Sequence, residues 1–170
     1  MGSEMCIRDR DGSSAPFIEV LLVAGLEEQA EEREIYELRE TIKYLDEEKG
    51  AEMLAMPSSN YKITALIDYQ SKVLGQQHSS IDNIADFEQE FSKARTFCFL
   101  HELEYLVEAN LIKGGDLNNA IVVVDRAVSE KELEKLRVIF DKPDVAVEKE
   151  GILNNVTLRY PNEPARHKLL

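Results

Sequence analysis

The sequence predicts an α/β fold in which short helices pack against sheet, and three observations support this. Apolar residues recur at helical spacing from residue 17 to residue 24. Residues 61–69 are rich in β-branched and aromatic side chains, which is typical of a strand. Residues 97–124 read as strand, helix and strand in succession, which predicts a small βαβ unit.

Composition limits the class of protein. A chain of 170 residues, 44% hydrophobic and 31% charged, can bury a core and suits one domain with part of another. Its net charge of −13 argues against nucleic acid as a partner, because phosphate binding needs a basic surface. The two cysteines, Cys6 and Cys98, make no disulfide framework, which indicates a reducing compartment such as the cytoplasm. No apolar run reaches about 18 residues, so no transmembrane segment is expected.

The N-terminal part should contain one helix between two irregular segments. Ser14 can cap this helix, Pro16 suits its first turn, and Gly25 can end it. Residues 1–10 are charged without an apolar stretch, so we expect a leader foreign to the fold and no signal peptide. Residues 27–33 should form an acidic, solvated linker.

Residues 35–45 are ambiguous: their apolar positions fit a helical stripe, and the alternation typical of a strand is not clean. Asn83 should cap a helix with one apolar face, formed by Phe87, Phe91 and Ala94. A strand-like break then leads into a helix that ends near residue 110.

The last third should begin with a turn at residues 114–115 and a buried strand at 120–124. Residues 129–132 (Ser-Glu-Lys-Glu) form a capping box for a helix that ends at 141–143, with Leu133, Leu136 and Phe140 facing inward. Residues 158–160 should form a short strand, and Asn162 should cap a final helix.

Five motifs, taken in order, resemble the UDP-3-O-acyl-N-acetylglucosamine deacetylases, the zinc hydrolases of lipid A synthesis. They are Asp-Gly-Ser-Ser-Ala-Pro-Phe at 11–17, Ala-Arg-Thr-Phe-Cys-Phe-Leu at 94–100, Glu-Tyr-Leu at 104–106, Gly-Gly-Asp-Leu-Asn-Asn-Ala-Ile-Val-Val at 114–123, and Arg-His-Lys-Leu-Leu at 166–170. The resemblance implies an internal piece of such an enzyme, inactive by itself. The segment after residue 129 resembles the version fused to a 3-hydroxyacyl-carrier-protein dehydratase.

The resemblance also refines the fold class to an α+β two-layer sandwich, mostly antiparallel sheet with helices on one layer. It implies strands, not a helix, over residues 35–45. The expected domains are the end of a first domain with its linker at 11–32 and a truncated second domain at 33–170. An inserted acyl passage would occupy about residues 96–125.

The implied chemistry is zinc-dependent removal of acetate from UDP-3-O-(3-hydroxyacyl)-N-acetylglucosamine. His167 matches the first metal ligand of a His and Asp pair spaced i and i+4, and the Asp would fall just past residue 170. Thr96 matches the donor that stabilises the tetrahedral oxyanion, and Lys168 matches a lysine near the diphosphate and the amide. A glutamate as general base, a second His ligand and a His acid would come from elsewhere in the enzyme. On the bare sequence, an exposed His and a helix-end Thr are the commoner explanations.

The remaining matches concern the UDP-linked acylated glucosamine. The resemblance assigns Phe97 and Glu102 to the sugar and the pair Asp68 and Tyr69 to the uracil. Lys49 matches, less securely, a lysine near the diphosphate. The implied acyl-passage residues are Leu103, Gly115 and Ala120. An ordinary small core explains those three equally well.

Other polar candidates are set aside, and two rival functions stay open. Cys98 stands where the family usually has Gly, and no His and Asp pattern accompanies it, so it is not expected to be a nucleophile. His78 and His101 match no ligand position and should be surface or loop residues. The rivals are a non-catalytic nucleotide- and acyl-binding module and an acidic α/β interaction domain. The sequence following Leu170 would separate them from the enzyme.

Overall fold

The computed structural model describes residues 11–32, 34–108, 119–147 and 151–170. In chain order the helices and strands are α1 (Ala15–Ala24), β1 (Ile42–Asp46), β2 (Ala51–Ala55), β3 (Ile63–Asp68), β4 (Gln76–Ile81), α2 (Phe87–Glu90), β5 (Phe97–Phe99), α3 (Leu100–Glu108), β6 (Ile121–Val124), α4 (Glu130–Phe140), β7 (Gly151–Ile152) and α5 (Glu163–His167). Single 3-10 turns lie at Ile84–Asp86 and Leu153–Asn155. None of the helices in these ranges is long and apolar enough to cross a membrane.

The described strands form three small sheets, and antiparallel pairing predominates. Strands β1 and β2 make one hairpin, and β3 and β4 make a second. The third sheet has the order β5-β6-β7, with β5 parallel and β7 antiparallel to β6. The α+β fold class with mostly antiparallel sheet is therefore confirmed, and so is the βαβ unit of β5, α3 and β6.

The βαβ sheet is buried on both faces, which explains why β6 is apolar throughout. One face carries Cys98, Val122 and Val124 against apolar residues of α3 and α4. The other face carries Phe99, Ile121 and Val123 against Leu74, which precedes β4. Alternate side chains of a strand point to opposite faces, so the two clusters share the strands without mixing.

The helix ends follow the predicted chemistry at most positions. Ser129 and Glu132 form the reciprocal capping box at the start of α4. The helix ends at Asp141, which adopts a left-handed conformation with φ of 51°. Asn162 precedes α5, but its side chain bonds the Arg166 guanidinium and the His78 carbonyl in place of a helix N–H. Helix α5 packs against β3 and β4.

Helix α1 occupies the predicted span and ends at Gly25, but the Ser14 side chain makes no capping bond and donates instead to the Ser92 carbonyl. Its apolar stripe is exposed, however: Val20 is 54% and Leu21 59% exposed, and no residue of the helix is buried. The prediction of a helix is confirmed, and the apolar face lacks a covering surface among the described residues.

Two expectations were too long, those for the strands at residues 35–45 and for the helix after Asn83. Helical periodicity at residues 35–45 is misleading, because the segment is irregular up to Thr41 and β1 then begins. The implied strands are confirmed only from Ile42 onward. The helix after Asn83 is a 3-10 turn followed by α2, which ends at Glu90, so Ala94 lies outside it.

The predicted strand at residues 158–160 is absent, for a reason visible in its backbone bonds. The N–H of Arg159 donates to the Glu163 carboxylate at 2.6 Å, and the carbonyl of Tyr160 accepts the Glu163 N–H at 3.1 Å. These groups organise the start of α5 and are not paired in a ladder. The polar sequence of β4 (Gln-Gln-His-Ser-Ser-Ile) hid a strand that pairs with β3 along its whole length.

Candidate active site

Thr96 lies where three chain segments meet. Its N–H donates to the Gly12 carbonyl and its own carbonyl accepts the Ile121 N–H, both at 2.9 Å. The residue is 6% exposed. Bonds to two distant segments therefore hold the Thr96 backbone on both sides.

Gly12 explains why the 11–17 motif requires a glycine. Its φ is +76°, and a Cβ at this position would lie 1.7 Å from the Asn119 carbonyl oxygen. Only glycine tolerates both the conformation and this close approach. The turn thus fits between Thr96 and Asn119, and its neighbour Ser14 bonds the Ser92 carbonyl.

His167 lies on α5 and is 6% exposed. Its Nδ1 is 3.4 Å from the carbonyl oxygen of Ala94, and its ring stands edge-on to Phe97 at 6.4 Å between centroids. A neutral imidazole whose Nδ1–H faces a backbone carbonyl presents Nε2 as its basic nitrogen. This arrangement fits a metal ligand.

An aromatic cluster adjoins His167. The Tyr69 ring meets Phe97 at 5.8 Å and Phe99 at 5.3 Å, both edge-on. The Lys168 Nζ lies 5.6 Å from the Phe97 centroid, within cation–π range. Phe97, which is predicted to contact the sugar, therefore touches both Tyr69 and Lys168. These two residues are predicted for the uracil and the diphosphate, and they are far apart in sequence.

Asp68 adjoins this cluster, and its carboxylate is engaged within its own hairpin. It accepts the Gln76 side-chain amide at 2.7 Å and the Gln70 N–H at 2.9 Å. These hydrogen bonds, that from Gln76 first, lower the pKa of Asp68 below its ordinary value. The group is an exposed, ionised acceptor beside Tyr69.

The buried ion pair of Arg95 and Glu163 is the feature that the sequence reasoning missed. The Arg95 Nε donates to one Glu163 oxygen at 2.8 Å and its Nη2 to the other at 3.1 Å. The Arg95 backbone N–H adds a bond of 2.9 Å. Glu163 is fully buried. The sequence offered one indication of this pair, which is the proximity of each partner to a predicted site residue. Arg95 precedes Thr96, and Glu163 precedes His167 by one helical turn.

Burial alone would raise the pKa of Glu163. Hydrogen bonds from the Arg95 side chain and from the backbone of Arg95 and Arg159 outweigh it and lower that pKa. A second, more exposed pair joins the Arg159 Nη2 to the Asp11 carboxylate at 2.8 Å. Together the two pairs connect the 11–17 motif, the 94–100 motif and the last helix.

The structure does not bring every predicted residue to this cluster. Lys49 lies in the β1–β2 turn and pairs with Asp46 at 3.3 Å, in a hairpin whose strands pair only with each other among the described strands. Glu102 lies in the first turn of α3, where its carboxylate accepts the Phe99 N–H at 3.1 Å. This is a helix-start contact, and the sugar contact stays a prediction.

The implied acyl passage is described only in part. Leu103 is 2% exposed and packs in the cluster with Cys98 and Val122, as the ordinary-core alternative expects. Ala120 is partly buried immediately before β6. Gly115 lies outside the described residues, as do residues 1–10, so the passage and the foreign leader stay predictions.

Cys98 and the other two histidines behave as expected. Burial, with a smaller contribution from the Glu102 charge, raises the pKa of the Cys98 thiol to about 12. A protonated, buried thiol is a poor nucleophile. His78 and His101 are both exposed. His101 stacks on Phe99 at 5.4 Å between ring centroids.

Comparisons with known proteins define the class of this chain. The family described as "LpxC: UDP-3-O-acyl N-acetylglycosamine deacetylase" matches residues 2–138, and the chain belongs to this family. Among its relatives, the "Bifunctional enzyme LpxC/FabZ" of Chlorobaculum tepidum is 44% identical over 94% of this chain and 35% of the relative. The counterpart in Porphyromonas gingivalis is 38% identical over the same shares.

A relative whose name gives a single activity is also similar to this chain. The "UDP-3-O-acyl-N-acetylglucosamine deacetylase" of Myxococcus xanthus is 34% identical over 94% of this chain and 43% of its own length. The chain therefore spans about a third to under a half of the relatives it matches.

Proposed function

We propose that the protein to which this chain belongs removes acetate from UDP-3-O-(3-hydroxyacyl)-N-acetylglucosamine in lipid A biosynthesis, in the cytoplasm. The observation that supports the proposal is the edge-on contact between Phe97 and His167, which joins two distant motifs. Thr96 directly precedes Phe97 in the chain. Family membership supplies the substrate class.

The enzyme would use zinc, with His167 as one ligand. The support is chemical: a buried imidazole oriented by a backbone carbonyl is a common form of metal ligand. Within the described residues no group of three or more His, Cys, Asp or Glu is placed to hold a metal. The other ligands would come from elsewhere in the enzyme. Zinc, when bound, would supply a Lewis acid for the amide and lower the pKa of water.

The residues of this chain would bind and orient the substrate. The Thr96 hydroxyl would donate to the oxyanion that forms when water attacks the amide carbon. Phe97 would contact the sugar, and Lys168 would neutralise charge at the diphosphate. Tyr69 would stack on the uracil, with Asp68 accepting its imide N–H. The proton transfers to and from water and the amine would need the glutamate and histidine that the family resemblance implies.

The test is an acetate-release assay with the full-length protein. We expect hydrolysis of the UDP-linked substrate, loss of activity with a chelator, and recovery on adding zinc. Full activity after complete metal removal would refute the zinc assignment. Tight substrate binding without acetate release would favour the non-catalytic module. If the residue after Leu170 is Asp, the implied ligand pair is complete.

A further inference from the structure

Glu163 is completely buried, and hydrogen bonds surround its carboxylate. Its carboxylate accepts four hydrogen bonds, two from the Arg95 guanidinium and one each from the backbone N–H groups of Arg95 and Arg159. A buried carboxylate is costly unless such bonds compensate it, and a well-packed apolar pair often stabilises a fold as much. Stability alone therefore gives a weak reason for this pair.

The geometry gives a stronger reason. Glu163 and His167 lie four residues apart and share one face of α5. Glu163 holds the N–H of Arg95, while the His167 Nδ1 faces the carbonyl of the preceding residue, Ala94. One helix face thus contacts two consecutive residues, immediately before Thr96.

The contacts also fix the orientation of the Arg95 side chain. The forked guanidinium binds both carboxylate oxygens and donates a further bond of 2.9 Å to the Thr157 carbonyl. With its side chain and its N–H both attached to Glu163, Arg95 has little freedom to rotate. The N–H and the carbonyl of the next residue, Thr96, are held by Gly12 and Ile121 respectively. The backbone leading into Thr96 is therefore anchored on α5, the helix on which His167 lies.

We propose that Glu163 is a positioning residue, which fixes the Thr96 hydroxyl relative to His167 through Arg95. The inference rests on the proposed deacetylase function. It assigns Glu163 no contact with substrate or metal.

The experiment is a double-mutant cycle in the full-length enzyme, with Glu163→Gln, Thr96→Ala and both together. Gln keeps the shape of Glu163, but its amide nitrogen cannot accept the hydrogen bonds of the second oxygen. We expect kcat to fall about 10- to 100-fold in Glu163→Gln, since small displacements of a catalytic group cost this much. KM and zinc content should stay within about twofold of the wild type, because Thr96 would act only in the transition state.

The decisive result is non-additivity. The double variant should turn over within about twofold of Thr96→Ala alone, because a mispositioned donor and a deleted donor lose the same interaction. A purely structural role predicts that the two losses multiply, and multiplied losses would overturn the proposal. Glu134→Gln is the matched control, since it removes an exposed pair with Arg137 at 3.0 Å and should change none of these values.

If Glu163→Gln does not fold, Arg95→Lys replaces it, because lysine keeps the charge and the backbone bond but loses the fork. The same cycle with Thr96→Ala then decides. If Thr96→Ala is slow while Glu163→Gln, or its replacement, is normal, the positioning role fails and the proposed function stands. An inactive wild-type enzyme would contradict both the positioning role and the proposed function.

Discussion

The ring of Phe97 stands edge-on to the imidazole of His167, with 6.4 Å between centroids and an angle of 81°. The two residues are 70 positions apart in sequence and belong to different motifs. Their contact joins the candidate substrate surface to the candidate metal ligand.

Thr96→Ala in the full-length enzyme should lower kcat about 100-fold or more, because an oxyanion donor acts only in the transition state. Substrate affinity should change little. Steady-state kinetics of acetate release measures both. Thr64→Ala is the control, because Thr64 is an exposed strand residue whose hydroxyl pairs with Ser80. A change confined to KM would contradict the role of Thr96.

His167→Ala should remove both zinc and activity from the full-length enzyme, because catalytic zinc is held by about three protein ligands. Elemental analysis after dialysis measures the metal. His101→Ala should keep both, since His101 is exposed on α3. Loss of activity with zinc fully retained would exclude His167 as a ligand.

Leu103→Ala should destabilise the chain by about 2–5 kcal/mol, the usual cost of truncating a buried leucine. Urea unfolding of this chain measures the change. Leu66→Ala is the matched control, because Leu66 is 73% exposed, and its effect should stay within about 0.5 kcal/mol. A small effect of Leu103→Ala would favour a passage-lining residue over a core residue.

Cys98 should react slowly with iodoacetamide in the native protein. Burial raises its pKa to about 12, so almost no thiolate is present near neutral pH. In denaturant the pKa returns towards 9.0 and alkylation should accelerate strongly. Mass spectrometry of the Cys98 peptide separates it from Cys6. Equal rates in the two states would show that the thiol is accessible.

Glu163 should make stability depend on acid pH. Its folded pKa lies below the ordinary value of 4.5, so the unfolded chain binds the proton first as pH falls. The stabilisation is complete above pH 4.5 and is lost as pH falls towards the folded pKa. Urea unfolding midpoints should therefore show the stability gap between wild type and Glu163→Gln shrinking on acidification. A constant gap down to about pH 2 would contradict this.

Local patterns in the sequence determined several elements correctly. Residues with intrinsic preferences mark them: the Ser129 and Glu132 capping box of α4, the Gly25 end of α1, and the apolar run of β6. These signals act over a few residues, so they do not depend on the rest of the fold. The motif resemblance similarly identified the family and named Thr96, Phe97 and His167.

Long-range contacts decided the rest. Polar β4 is a strand only because β3 supplies its ladder, and residues 158–160 are irregular because Arg159 and Tyr160 bond to Glu163. The periodicity at 35–45 was misleading for the same reason, since pairing with β2 decides where β1 begins.

The ion pair of Arg95 and Glu163 is the clearest case of a tertiary decision. A charged residue is ordinarily solvated, so neither sequence position indicated burial. Burial of Glu163 becomes tolerable only where a fork of guanidinium N–H groups and two backbone N–H groups converge on one carboxylate. The sequence by itself determined which side chains are available at this site. Their arrangement follows from segments 68 residues apart that satisfy each other's hydrogen bonds.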